Sequence, residues 1–247
     1  MKNILFATLL SSQMLFSASS EQILQYLSLS HSEEQVLSIE RVFDSMRSTQ
    51  ERNESNESTS QVSIVYQEYL EEHLSSNEVE KLLKLYRQPI MERYVSEVKN
   101  FSINQDDMDA FLENLKEEPL STERSEIVDE IIAVLVNEKL QLGFYRSMMQ
   151  RYQPKPDGNQ SNENNASKMS KQEERYLDSM KKAEKNHLLY GSQVFSLEEM
   201  SELQDTIKSS IFKKIKRVEN EALVGIMNNF IQGIVSEPKQ SKEVKKE

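Results

Sequence analysis

The chain contains no cysteine and no tryptophan among its 247 residues, and it has only five glycines and five prolines. The absence of cysteine excludes disulfide bonds, thiolate metal sites, cysteine nucleophiles and a lipidated N-terminal cysteine. Glu, Lys, Leu, Gln, Ser and Met are abundant, and with so few turn formers this composition is typical of a helical protein. It predicts an all-α fold.

Positively charged residues are fewer than negatively charged ones. Lys and Arg number 30 against 41 Asp and Glu, which gives a net charge of −11. Because phosphate backbones and anionic membrane surfaces attract concentrated positive charge, we expect no nucleic-acid partner and little adsorption to such membranes. No segment after residue 20 reaches the roughly 18 continuous apolar residues that indicate a transmembrane helix. We therefore predict no transmembrane segment in the mature chain.

The first twenty residues differ from the rest. Lys2 precedes a mostly apolar stretch, Ile4–Phe16, and the small residues Ala18 and Ser20 then stand at the −3 and −1 positions of a cleavage site before Glu21. This pattern predicts a secretory signal peptide over residues 1–20 and a periplasmic or secreted bacterial protein. The alternative is a buried N-terminal helix.

Two copies of a helix-start motif occur 121 residues apart, Ser75-x-x-Glu78 and Ser196-x-x-Glu199. In such a capping box the Ser hydroxyl accepts a hydrogen bond from a backbone N–H of the first turn, and the Glu carboxylate accepts one from the N–H of the Ser. Each motif is flanked by the apolar pair of a hydrophobic staple, which comprises Leu74 and Val79 in the first copy and Phe195 and Met200 in the second.

The apolar positions that follow the two motifs also correspond. Leu82 aligns with Leu203, and Ile90 aligns with Ile211. We therefore predict two related helical units, packed together into a multi-helix bundle or a short solenoid. The predicted segments are a signal peptide at 1–20, a first unit at 21–118 with a mobile loop at about 48–61, a second unit at 119–236 with a mobile loop at about 154–168, and a charged disordered tail at 237–247.

The helices after the two motifs are expected to differ. Pro89 should kink or break the first one, because proline lacks an N–H and clashes with the preceding turn. The second copy has no proline at the corresponding place, and its apolar stripe runs from Met200 to Ile234. We predict one long, curved helix there, eased at Gly225.

The first motif region resembles an uncharacterised family of exported bacterial proteins, domain of unknown function 2059. The matching stretches are His73–Tyr94 (HLSSNEVEKLLKLYRQPIMERY) and Lys116–Ile132 (KEEPLSTERSEIVDEII). This chain has Gln88 where that family usually has Ser before the proline. The resemblance implies an all-helical protein with a signal peptide, and it implies no reaction and no catalytic residues.

Motifs for catalysis or metal binding are scarce. The three histidines, His31, His73 and His187, lie in no metal-ligand spacing, and the chain has no phosphate-binding glycine loop and no nucleophile elbow. The acidic cluster at residues 106–109 lacks the glycine and the final Glu of a calcium-binding loop. We predict no enzymatic activity, no metal and no cofactor.

Two features of the sequence are compatible with a binding role. The residues Lys213, Lys214, Lys216 and Arg217 form the one concentrated basic patch, which is either a site for an acidic partner or a solvated helix face. Several methionines, among them Met200 and Met227, either fill gaps in the core or line an adaptable groove.

The leading hypothesis is an exported binding or structural module of the bacterial cell envelope, with a protein or peptide partner of unknown identity and a homodimer as one arrangement. Two alternatives stay open. One is a carrier for lipid or another apolar ligand in a cavity between the helices. The other is a hydrolase that uses carboxylates in a groove between the two units.

Overall fold

A computed structural model describes residues 17–46, 60–99, 104–152 and 162–236. These ranges contain eleven α-helices, one π-helical turn and no β-strand. The all-α, multi-helix prediction is confirmed. In chain order the elements are α1 (Ser20–Ser30), α2 (Ser32–Met46), α3 (Ser60–His73), α4 (Ser76–Tyr86), α5 (Pro89–Arg93), the π turn (Tyr94–Lys99), α6 (Gln105–Glu117), α7 (Thr122–Leu135), α8 (Glu138–Tyr152), α9 (Asn162–Gly191), α10 (Leu197–Lys208) and α11 (Ser210–Ser236).

Both predicted capping boxes are present with both of their hydrogen bonds. Ser75 caps α4 and Ser196 caps α10, and in each case the Glu three residues later accepts a hydrogen bond from the N–H of the Ser. The staple residues before and after each cap are buried. Local chemistry therefore starts the two helices in the same way, as the sequence indicates.

The helix after each capping box is broken at the same place. In the first unit α4 ends at Tyr86, Gln88 is extended, and Pro89 is the first residue of α5. The expected break at Pro89 is confirmed, and proline is well placed there because the first helical N–H has no partner within the helix.

The prediction of one long helix from Met200 to Ile234 is wrong. The chain breaks at Ser209, which is extended (φ −59°, ψ 149°) and separates α10 from α11. Ser209 aligns with Gln88, and its hydroxyl accepts a hydrogen bond from the N–H of Phe212 at 3.4 Å. Side-chain capping thus replaces proline in restarting the second helix.

The packing of the two units follows the same order. In the first unit α1 packs on α3 and α4, and in the second unit α7 packs on α9 and α10. The last element of each unit then crosses to the other unit, since α11 packs on α3 and α4 while α5 packs on α10 and the π turn packs on α9. Leu82 and Leu203 are both completely buried in one shared apolar core.

The predicted loops fall largely outside the described residues, as does the tail at 237–247. At 48–61, residues 60 and 61 begin α3. At 154–168, residues 162–168 are helical and open α9, so that part of the loop prediction is wrong. Extending an existing helix fixes one residue for each new hydrogen bond, and no Gly or Pro interrupts the chain between 162 and 190.

The last residues of the predicted signal peptide belong to the fold. Ala18 is buried and donates its N–H to the carbonyl of Leu74 at 2.9 Å. Ser19 caps α1 in a third capping box, with Gln22 as the reciprocal residue. Residues 1–16 lie outside the described ranges. None of the helices in those ranges has the length and apolar character needed to cross a membrane.

Candidate functional site

Glu219 on α11 is the one charged residue that is fully buried in the described part of the chain. Its Oε1 accepts hydrogen bonds from the hydroxyl of Tyr26 at 2.7 Å and from the hydroxyl of Ser32 at 2.9 Å. Its Oε2 accepts one from Nζ of Lys216, also at 2.7 Å. The carboxylate therefore joins α1, α2 and α11, and its buried charge is compensated as a buried charge must be.

Glu219 stays ionised in the folded protein. Burial by itself would raise the pKa of its carboxyl group, but the charges of Lys216 and Lys99 and the hydrogen bonds from Lys216 and Tyr26 outweigh burial and lower the pKa to about 2. A general acid needs a raised pKa, so this carboxylate has the opposite property.

Tyrosines surround this carboxylate. Burial, together with the charge of Glu219, raises the pKa of Tyr26, Tyr66 and Tyr86 well above the usual value. The Tyr26 and Tyr86 rings meet edge to face, with their centroids 5.6 Å apart. The phenols therefore stay neutral, and Tyr26 serves as a hydrogen-bond donor to the carboxylate.

Lys99 is the second cation of the site and ends the π turn. Its ammonium donates a hydrogen bond to the carbonyl of Ser30, at the C-terminal end of α1. Burial, and after it the charge of Lys216, lowers the pKa of Lys99 to about 7, against a weaker opposing influence of Glu219 and Glu34. A group with this pKa is partly neutral near pH 7.

A cleft of about 390 Å³ opens beside these residues at the junction of the two units. Part of its lining, called the apolar wall below, is apolar, and Lys99, Lys216 and His187 also line it. The exposed carboxylates Glu34 and Glu184 lie on the same lining. The apolar wall consists of Val98, Leu135, Val136, Leu140 and Leu188.

Two backbone features lie at the cleft or next to it. His31 ends α1 with a left-handed conformation (φ 52°), which turns the chain directly into α2 and leaves His31 on the cleft lining. Gly191 ends α9 against the π turn, where an added Cβ would lie 3.0 Å from the Glu97 carbonyl oxygen and from the Val98 Cα. Glycine thus permits the close approach of the two backbones.

The cap carboxylates have a further role that the sequence analysis did not assign. Glu78 of the first unit is ion-paired with Lys214 of the second, and Glu199 of the second is ion-paired with Arg93 of the first. Arg93 and Lys214 occupy equivalent positions of the two repeats. The two ion pairs are therefore reciprocal, as in an interface with two-fold symmetry.

The predicted basic patch is divided between two environments. Lys213 and Arg217 are exposed on α11. Lys214 pairs with Glu78, and Lys216 pairs with Glu219 and lies 15 % exposed. Two of the four cations are thus committed to carboxylates within the chain, and Lys216 belongs to the cleft.

Sequence reasoning missed Glu219, Lys99 and His187 as site residues. His187 has no metal ligand at a suitable spacing in the sequence, but its Nε2 is buried beside the cleft without a hydrogen-bond partner among the described residues. Glu219 could have been found, since the repeat aligns it with the apolar residue Val98. Among the residues described, no group of three or more acidic or histidine side chains is placed to hold a metal ion.

The methionines named above serve the core, since Met200 and Met227 are both buried in it. The acidic cluster at residues 106–109 lies in the first turns of α6, where the three aspartates are exposed and the side chain of Asn104 caps the helix.

Comparisons with known proteins give no match. Neither protein-family models, nor curated sequences, nor solved structures resemble the chain significantly. Any functional conclusion therefore depends on the site itself.

Proposed function

We propose that this protein is a non-enzymatic binding module that holds a small ligand in the cleft between its two units. The observation that carries the proposal is the cleft of about 390 Å³, which combines an apolar wall with partly buried cations. Ligand sites commonly have this volume and consist of apolar walls with a few placed polar groups. Of the two alternatives, the ligand carrier has more support than the hydrolase, because Glu219 is held ionised by its partners.

A group of polar side chains lies in and beside the cleft. Lys99 and Lys216 line it, and the buried carboxylate of Glu219 and three buried tyrosines lie next to them, where four helices and the π turn meet. Such buried groups require mutual compensation. Buried ionisable groups beside a cleft are a physical indication of a functional site.

The test uses native mass spectrometry and amide NMR on the full chain. We expect protein purified from its own source to retain a small molecule, and we expect octanol, octanoate or octylamine to perturb amides of the cleft. Leu140→Trp, which fills the apolar wall, should abolish both effects. Leu112→Trp on α6 is the matched control, because Leu112 is also half-buried but does not line the cleft. Unchanged binding in Leu140→Trp would overturn the proposal.

We propose further that the protein is exported to the bacterial cell envelope. The support is the signal-peptide pattern and the resemblance to domain of unknown function 2059. Cell fractionation with N-terminal sequencing tests this, and an uncleaved cytoplasmic product would contradict it. The observed first residue also decides whether Ala18 and Ser19 remain in the mature fold.

A further inference from the structure

The cleft contains a cation, Lys99, that makes no direct ion pair among the described residues, although the charges of Glu219 and Glu34 act on it from beyond contact distance. Lys216 is neutralised by Glu219, but the Lys99 ammonium makes no ion pair in the described part of the chain and donates only to the neutral Ser30 carbonyl. Charge that is removed from water without an opposite charge is unfavourable. An anion that enters the cleft would therefore gain a favourable interaction at Lys99.

A second group on the cleft lining, the imidazole of His187, also favours an anionic ligand. The Nε2 of His187 is buried and has no hydrogen-bond partner among the described residues. In the tautomer that carries the proton on Nε2, this atom is a donor. Lys99 and His187 thus offer two donors to one ligand, while Val98, Leu140 and Leu188 offer an apolar surface.

We infer that the ligand is a small carboxylate with an apolar chain, whose carboxylate binds Lys99 and His187 and whose chain lies against the apolar wall. This inference rests on the proposed function and names its ligand class. The volume of the cleft corresponds to on the order of a dozen non-hydrogen atoms at roughly 30 Å³ each. Octanoate suits this size and serves as the probe.

Proton linkage supplies an independent signature. In the ligand-free protein the pKa of Lys99 is about 7. An anion that binds the charged ammonium better than the neutral amine should raise that pKa, so the protein should take up protons when the anion binds. Affinity for octanoate should then be greatest below pH 7 and should fall above it, by about tenfold in total, as Lys99 loses its proton. The other titratable groups around Lys99 are His31, Glu34, Tyr94, Glu184, His187, Lys216 and Glu219.

Titration calorimetry of the full chain compares octanoate with octanol and octylamine. We expect octanoate to bind at least about tenfold more tightly than either. Lys99→Met should lower the affinity for octanoate by a similar factor and leave the affinity for octanol unchanged. Lys213→Met, on the exposed surface of α11, should change neither affinity. Lys99→Arg should retain octanoate binding but remove its pH dependence near pH 7, because the guanidinium stays charged.

The outcomes separate this inference from the proposed function. Equal affinity for octanoate and octanol, or tighter binding of octylamine, overturns the carboxylate assignment and leaves the cleft as a ligand site. Failure of all three octyl compounds to perturb the cleft overturns the proposed function as well. If Lys99 only stabilises the end of α1, Lys99→Met will lower thermal stability without changing the ratio of octanoate to octanol affinity.

Discussion

At two equivalent places the first unit has valines and the second unit has an ion pair. Val95 and Val98 of the π turn align with Lys216 and Glu219 of α11, and both valines are buried. The first unit shows that two apolar side chains satisfy packing at these positions. The Lys216–Glu219 pair is therefore not required by the shared scaffold, and its presence beside the cleft indicates a specific role.

The backbone differs at the same places. Residues Tyr94–Lys99 form a π turn, whereas the equivalent residues of α11 remain α-helical. A π turn inserts an extra residue into the helical repeat and is frequent at functional sites. It ends at Lys99, which lines the cleft together with Asn220, its counterpart in the second unit. The two units thus share a scaffold and differ where the ligand is proposed to bind.

The largest effect should come from removing the buried carboxylate. Glu219→Val, which copies the first unit, leaves Lys216, Tyr26 and Ser32 without their partner and should lower the free energy of unfolding by about 3–5 kcal/mol. The double variant Glu219→Val with Lys216→Val should be more stable than Glu219→Val alone, because Lys216 is no longer left as an unpaired charge. Urea unfolding followed by circular dichroism measures both. A double variant no more stable than the single one would contradict the comparison.

Equivalent core positions should respond equally. Leu82→Ala and Leu203→Ala each remove a completely buried side chain and should each lower the free energy of unfolding by about 2–5 kcal/mol. Two values close to each other, in one cooperative transition, are expected for units that share a core. Separate transitions in urea for the two variants would show that the units unfold independently.

Acid should destabilise the protein through Glu219. Its folded pKa is about 2, below the ordinary value of 4.5, so its contribution is complete above pH 4.5 and is lost as the pH falls towards 2. In Glu219→Gln this contribution is absent at every pH. The difference in unfolding free energy between the wild-type chain and Glu219→Gln should therefore shrink between pH 4.5 and pH 2. A difference that stays constant over that range would contradict the assigned pKa.

The helix caps Ser75 and Ser196 also occupy equivalent positions in the two units, and a smaller loss of stability is expected when either is removed. Ser75→Ala and Ser196→Ala should each lower the free energy of unfolding by about 1 kcal/mol, since each leaves an N–H of the first turn without its side-chain acceptor. Ser75→Asp and Ser196→Asp are matched controls that keep an acceptor. Thermal unfolding of the four variants measures the effect, and Asp variants as unstable as the Ala variants would contradict the capping role.

The smallest effect is expected for the reciprocal ion pairs. Both pairs are partly exposed, so Arg93→Met and Lys214→Met should each lower the free energy of unfolding by at most about 1 kcal/mol. Arg93 also lies 4.5 Å from the centre of the Phe195 ring, so its removal should have the larger effect of the two. Double-mutant cycles with Glu199→Gln and Glu78→Gln measure each coupling, and zero coupling in both would show that the symmetry of the pairs has no energetic consequence.

Local chemistry accounts for what sequence reasoning predicted correctly. The caps at Ser75 and Ser196, the break at Pro89 and the burial of Leu82 and Leu203 all depend on residues a few positions apart, so their signals are contiguous in the chain. The break at Ser209 has a weaker local signal. It was missed although its alignment with Gln88 would have revealed it.

The sequence by itself determined that this chain is helical, where its capped helices start and which positions they bury, because those properties follow from hydrogen bonds and apolar spacing within single helices. Only the tertiary structure decided that Lys99 and His187 line one cleft and that Glu219 lies beside it. These residues come from α11, the π turn and α9, and they meet because the last element of each unit crosses onto the other. No periodicity within one helix encodes that crossing.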